Sequence, residues 1–345
     1  MKKLFLLIAF CALSVYSVKA NDGVFYVNGN EIMPIKSTNI RVDKEILNIK
    51  KISDKQVSVS VYYEFFNPGS PQTLQVGFEA TPPQGEQEMA MDSQVKPGNT
   101  DKPHPNIHQF TVQMNESILP FTNHVEYNKQ YGFPEKYVYL FGANFRSGKN
   151  VVRHSYICDL SMSVSSFYEF SYVLDAAKRW AGGTIGDFTL NIDMGEQQAF
   201  GVRETFFKDL NDWTLTGTGK VIDYKRNKEN MNDSIMKCYL RQGCMVYHKL
   251  NFNPNHNLII FCLDGICIWG PGKDAVFDAK AYKDDLYSHI PFTDFKDNPK
   301  GKDEFSERVI RNLPYARHGY VFQNKDLNDF FKTIEWYLPD PNFKP

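Results

Sequence analysis

Residues 56–68 read QVSVSVYYEFFNP. Val57, Val59, Val61, Tyr63 and Phe65 recur at a period of two on one face, with Ser58, Ser60 and Glu64 on the other. That alternation is the mark of a half-buried β-strand. Asn67-Pro68-Gly69 ends the run as a turn. Similar short runs follow at TLQVGF, FTVQM, YVYLF, VVRHSYICDL, EFSYVL, DFTLNI and HNLIIFCL, with turn residues between them. Many short strands broken by Gly, Pro and Asn predict an antiparallel β-sandwich over residues 21–275. Aromatic residues make up 14% of the chain, mostly Phe and Tyr, which suits a β-rich core.

Two stretches interrupt the strand pattern. Residues 81–107, TPPQGEQEMAMDSQVKPGNTDKPHPNI, are polar and rich in Pro and Gly, and residues 226–234 read RNKENMNDS. A loop as long as the first is usually functional or mobile, and both are expected at the surface. After about Phe277 the period changes. Phe305, Val309, Leu313, Ala316 and Tyr320 recur at helical spacing, and Asp326, Leu327, Phe330, Phe331 and Ile334 form a second short helix with Asn324 as its N-cap. Residues 276–345 therefore predict a small α-helical domain, which docks on the sandwich or is tightened by its own aromatics because two helices bury little surface alone.

The N-terminus reads MKKLFLLIAFCALSVYSVKA. Two lysines precede an apolar run, and Val18 and Ala20 occupy the −3 and −1 places of a secretory signal peptide cut behind Ala20. The run is too short for a comfortable transmembrane anchor. Cys11 lacks the preceding small-residue box and the position at the cleavage point that a lipid-attached cysteine needs. Removing residues 1–20 takes away three lysines and no acid, moving the net charge from −1 to −4. This is not the balance of a nucleic-acid binder, and no other stretch is long and apolar enough to cross a membrane. The mature chain is expected in the periplasm or outside the cell.

Two resemblances follow from the residues. Arg311-Asn312, Tyr315-Ala316-Arg317-His318-Gly319, Phe322, Leu327, Phe331, Trp336-Tyr337 and Pro339 resemble the YARHG domain, which is named for its five-residue run and presumed extracellular. One departure stands out. Leu313-Pro314 occupies the place of the usual Glu-Ile, and a proline there predicts a kinked or restarted helix. Asn21-Asp22, NIRVDKEILNI, VYYEFFNP with VGFEATPP, and FYEFSYVLDAAKRWAGGTIGDFTLNIDMG are similar to a bacterial exported family, domain-of-unknown-function family 4424, over about residues 21–251. Trp180, Gly183, Ile185-Gly186 and Phe188 stand at that family's spacing. Neither resemblance implies a catalytic residue.

The run around His318 has two readings. Structurally, Gly319 stands where a left-handed helix cap is wanted, Arg317 and His318 meet the helix dipole in the last turn, and Arg317 can pair with Asp326, Asp329 or Asp340. Functionally, Arg317 and His318 would donate to a carboxylate or phosphate beside an apolar wall of Tyr315, Tyr320 or Trp336. Asp264-Gly265 forms a two-residue turn that sets Cys262 opposite Cys267 as a disulfide candidate. Cys238 and Cys244 are a second candidate pair across a short loop, and the four allow three connectivities. A zinc site at Cys238, Cys244 and His248 is the alternative, but the spacings are not those of zinc knuckles. No metal or cofactor is expected.

His154 shares a strand face with Val152, Tyr156, Cys158 and Leu160, as a satisfied core histidine does. His104 and His108 are four apart, but Pro105 argues against a shared helical face. GANFRSGK at 142–149 lacks the phosphate-loop spacing, and neither G-x-S-x-G nor HExxH occurs. The reading is an exported, non-catalytic binding or scaffolding module for a cell-wall or surface glycan or an envelope protein. The alternatives are an envelope hydrolase whose site is scattered along the chain, or a structural subunit of a surface complex.

Overall fold

The computed structural model describes residues 28–30, 32–34, 38–83, 101–127, 134–163, 166–207, 209–224, 234–263, 276–280 and 300–344. The expected leader with its cleavage point, Cys267 with the 264–265 turn, residues 84–100 and most of the 226–234 stretch lie outside them.

The chain opens with two short strands, β1 (Asn28–Asn30) and β2 (Ile32–Pro34). The long hairpin β3 (Arg41–Ser53) and β4 (Gln56–Asn67) follows. On β4 the predicted alternation holds at every position, with Val57, Val59, Val61, Tyr63 and Phe65 buried. The turn after it is held by Asn67, whose Oδ1 accepts from the Gly69 N–H at 3.1 Å and whose Nδ2 donates to the Ser70 carbonyl at 2.9 Å. The chain then changes sheets repeatedly. β5 (Gln72–Ala80), β8 (Phe121–Tyr127) and β9 (Pro134–Phe145) join β2 in a four-stranded sheet of order β2-β5-β9-β8. β6 (Ile107–Met114), β7 (Ser117–Ile118) and β10 (Gly148–Asp159) return to the sheet of β3 and β4.

That larger sheet is completed by β11 (Ser161–Ser163), β12 (Ser166–Val173), β13 (Ile185–Asp193), β14 (Gln198–Arg203), β15 (Trp213–Tyr224), β16 (Ile235–Phe252) and β17 (Leu258–Cys262). Its order is β1-β12-β17-β14-β16-β13-β3-β4-β10-β6-β7, with β11 on β12 and β15 on β16. Most pairs are antiparallel, but β3–β13 and β1–β12 run parallel.

The two sheets face each other across one aromatic core. Phe78 and Tyr139 of the smaller sheet meet Phe110, His154 and Tyr156 of the larger, and Phe145 meets Phe65 and Trp180. His154 lies in this layer as expected, only 2% exposed. It is not a satisfied histidine, however, because neither ring nitrogen has a hydrogen-bond partner among the described residues. His104 also departs from the surface expected of its loop. It is buried, its Nδ1 accepts from the Asn106 N–H at 3.1 Å, and its Nε2 bonds the Thr81 carbonyl at 2.9 Å, which fixes the neutral Nε2–H tautomer.

A minimal pair, β18 (Val276–Phe277) and β19 (Lys300–Gly301), leads to the helices α1 (Glu304–Arg317) and α2 (Lys325–Lys332). Asp303 caps α1 through the Ser306 N–H at 2.8 Å, and Asn324 caps α2 through the Leu327 N–H at 3.1 Å, as its sequence predicts. The helix neither restarts nor breaks at Pro314 but runs through it to Arg317. Val309, Ile310, Ala316, Leu327, Phe331 and Trp336 form a second core. Ala199 of β14 and Tyr239 of β16 belong to that core too, so the helices are packed on the outer face of the large sheet.

Candidate functional site

Two places carry exposed chemistry. The first is a trough of about 320 Å³ on the outer face of the large sheet. Register builds it. Asn48 on β3 stands opposite Ser60 on β4, Ser60 opposite Ser155 on β10, and Ser155 opposite Thr111 on β6. Opposed residues in a sheet share a face, so these short polar side chains form a row across the strands. Asn191 of β13 extends the row, donating from Nδ2 to Asn48 Oδ1 at 2.8 Å, and the Thr111 and Ser155 hydroxyls are 2.9 Å apart.

Tyr62, Arg153 and Gln113 make the neighbouring row and, being longer, form a bank beside it. The Arg153 guanidinium lies 5.0 Å from the centre of the Tyr62 ring. Tyr62 donates its phenol to Glu64 at 2.7 Å, and Lys149 reaches the same carboxylate at 2.7 Å. Burial pulls the Glu64 carboxyl upward, but the hydrogen bonds from Lys149 and Tyr62 outweigh it and leave its pKa below the ordinary value. The floor is the main chain of Val61 and His154, whose side chains turn into the core.

The second place is the helix end at residues 315–320. Gly319 has φ +83°, its N–H bonds the Ala316 carbonyl at 2.8 Å, and the Tyr320 N–H bonds the Tyr315 carbonyl at 2.9 Å. Those two bonds make a complete Schellman cap. The five binding candidates do not share one open surface. Tyr315 is 44% exposed, Tyr320 and Arg317 are half-buried, and His318 is exposed. Trp336 is 1% exposed inside the helical core, so its ring is a packing element and not an accessible wall.

His318 faces the large sheet's side of the molecule, with Nδ1 2.9 Å from Gln197 Nε2 and its ring stacked on Phe343. The acids proposed for Arg317 all meet other cations. Asp340 meets Arg241 at 2.9 Å, Asp326 meets Arg308 at 3.8 Å, and Asp329 meets Lys325 at 2.5 Å.

Sequence reasoning missed the residues that hold this segment down. Lys237, Tyr239 and Arg241 alternate along β16 and point away from the sandwich core. Lys237 Nζ and the Tyr239 phenol donate to Glu335 Oε2 at 3.0 and 3.1 Å. Lys220 of β15 donates to the Glu335 carbonyl at 3.1 Å, and Arg241 donates to Asp340 and to the Leu338 carbonyl. The signal was available in MKCYLR. There the inward Met236, Cys238 and Leu240 alternate with long polar-tipped side chains, one of them the aromatic Tyr239.

The pairing of Cys238 with Cys244 is corrected. Both lie on the continuous strand β16, six residues and so roughly 20 Å apart, too far for a bond. Cys158, Cys238 and Cys244 are thiols, and burial raises the pKa of each. Cys262 is buried at the end of β17, while its proposed partner lies outside the described residues. His248 bonds Asp187 at 2.9 Å rather than a cysteine, and no group of metal-holding side chains occurs among the described residues. His108 of β6 pairs with Asp159 at 2.9 Å.

No curated protein matches the chain. A protein from Legionella pneumophila with the provisional name nutrient-binding protein is similar in structure, with a TM-score of 0.53 at 16% identity, covering 94% of each chain. At that identity the likeness is one of fold. An M1 zinc metallopeptidase from Deinococcus radiodurans matches at a TM-score of 0.21 and 9% identity, covering 61% of this chain and 42% of its own. Within the described residues no helix is long and apolar enough to cross a membrane. Residues 299–344, the docked segment with its capped helix end, match the YARHG domain.

Proposed function

We propose that the chain is an exported envelope protein, cut behind Ala20, that acts as a non-catalytic binding or scaffolding module for a cell-wall or surface glycan or a protein partner. On this reading residues 21–275 form the binding sandwich and residues 276–345 a YARHG unit fastened to it. The trough carries the proposal. Amides, hydroxyls, a phenol ring and a guanidinium converge on a rigid sheet face, and such groups hold a ligand by hydrogen bonding. The leader sequence, the match of residues 299–344 to the YARHG domain and the resemblance of residues 21–251 to the exported family 4424 support the location. Cys262 and Cys267 remain the disulfide pair this setting would favour.

The test is co-sedimentation of the mature chain with purified cell-wall and outer-surface fractions, followed by mass analysis of the bound material. Retention with the material unchanged is expected, and protein recovered from the envelope should begin at Asn21. Conversion of the material would favour the hydrolase, and a retained Met1 would remove export.

A further inference from the structure

We propose that the trough binds an extended acidic oligosaccharide lying across the strands, with its hydroxyls on Asn48, Ser60, Thr111 and Gln113 and a carboxylate on Arg153. This rests on the reading of the chain as a binding module and adds the place and the ligand chemistry.

The lining selects for hydroxyls. Serine, threonine, asparagine and glutamine each donate and accept, as sugar hydroxyls do, whereas a phosphate only accepts and an ammonium only donates. Bonds inside the row leave capacity over. Asn48 Oδ1 accepts from Asn191, but the Ser60 hydroxyl has only a 3.4 Å contact from Asn48, and Gln113 donates to the Asn115 carbonyl at 3.2 Å with its own oxygen left to accept.

Arg153 is the charged member. Its guanidinium rests on the Tyr62 ring and makes no ion pair among the described residues. A planar fork in that state is matched by a carboxylate. The Tyr62 hydroxyl is committed to Glu64, so its ring serves as an apolar bank for sugar C–H groups.

Shape argues the same way. The lining from Asn48 to Thr111 crosses β3, β4, β10 and β6. At about 4.8 Å per strand it runs about 14 Å, longer than a single sugar and enough for a short oligosaccharide. A peptide is a poorer occupant. Peptides add to sheets through a free edge, and here the main-chain groups beneath the trough are already paired in the ladders of interior strands.

Titration calorimetry on the mature chain tests this with galacturonate and mannuronate oligomers, the methyl ester of the galacturonate oligomer, and polyglutamate. At least one acidic oligomer should bind, with the ester weaker by about tenfold, the effect of losing one charge-assisted hydrogen bond. Arg153→Gln should weaken the acidic oligomer by the same factor and leave the ester unchanged, a pattern that loss of folding cannot produce. Ser60→Tyr, which fills the trough, should abolish binding of both while the thermal midpoint is kept.

Failure of both acidic oligomers to bind overturns the assignment, as does equal binding of ester and acid, or polyglutamate binding as tightly as the sugar. If envelope fractions retain Ser60→Tyr as well as the parent, the trough is not the site although the chain is still a binding module. If they retain neither, the module reading itself falls.

Discussion

At Gly319 a missing side-chain carbon decides how two parts of the chain meet. Its φ of +83° is the left-handed conformation a helix cap requires, and a Cβ there would overlap the Arg241 guanidinium and the Leu338 carbonyl. Gly319→Ala should therefore combine roughly 1–2 kcal/mol of backbone strain with displacement of Arg241 from its partners. His318→Ala should cost about 0.3–1 kcal/mol, because an exposed ring gives up only a dipole contact, one hydrogen bond and a stack. Chemical denaturation of both variants beside the parent checks the order, and equal stability of Gly319→Ala and the parent would remove the steric account.

His154 offers a second test. Burial among aromatic rings pushes its pKa from 6.5 down to about 3, and burial lowers His104 to about 4 against a raising contact from the Thr81 carbonyl. Both histidines are neutral in the fold, so the unfolded chain takes up more protons below about pH 6.5. Their contribution is intact above that pH and is lost as pH falls toward the folded values, at about 1.4 kcal/mol per pH unit for each. His154→Phe keeps the aromatic contacts without the titration. Its urea midpoint should fall less than the parent's between pH 7 and pH 5, and identical slopes would mean that the ring is protonated in the folded chain.

The strands were legible as elements wherever one face is buried, because burial alone imposes the period of two that β4 shows. The reading failed between Cys238 and Cys244, where a short loop is expected from the sequence and a continuous strand stands. There Gly243 has φ +112° and faces Gly217 at φ +118° on β15, and a Cβ on Gly243 would overlap the Thr216 carbonyl. These glycines let two strands twist past each other at close range, so β16 continues for 18 residues. A sequence shows the glycine but not the facing backbone that requires it.

α1 is the opposite case, because its proline suggests an interruption and the packing overrides it. Asp303 caps the start, the Schellman bonds close the end, and the buried Val309, Ile310 and Ala316 tie the turns on both sides of Pro314 to one core. The proline still supplies no N–H to the Ile310 carbonyl. Pro314 is exposed, so Pro314→Ala should restore that bond without a clash and stabilise the chain by roughly 1–3 kcal/mol. A calorimetric midpoint no higher than the parent's would show that the helix does not strain around the ring.

At the scale of the molecule, what was hidden is what long-range register creates. Asn48 and Asn191 touch although 143 positions separate them, and the trough assembles side chains from strands that are not consecutive in the chain. Periodicity puts Ser60 on an outer face but does not say which outer faces adjoin. The docking of the helical segment was open for the same reason, since its partners are residues of β14, β15 and β16.

The docked geometry argues against two independent bodies. Ala199 and Tyr239 of the sheet sit in the helical core, and Lys237, itself buried, is neutralised by Glu335. Separating the parts would expose that apolar surface and break the Lys237–Glu335 pair together with the Tyr239 hydrogen bond to the same carboxylate. The intact chain should therefore lose the near-ultraviolet signals of both parts in one transition. A fragment of residues 276–345, whose one tryptophan is Trp336, should show no cooperative melt. Glu335→Gln in the intact chain should lower the midpoint further than Lys325→Gln, whose exposed pair on α2 contributes little. If the fragment melts cooperatively on its own and Glu335→Gln is silent, the helical unit is self-sufficient and its contacts with the sheet are incidental.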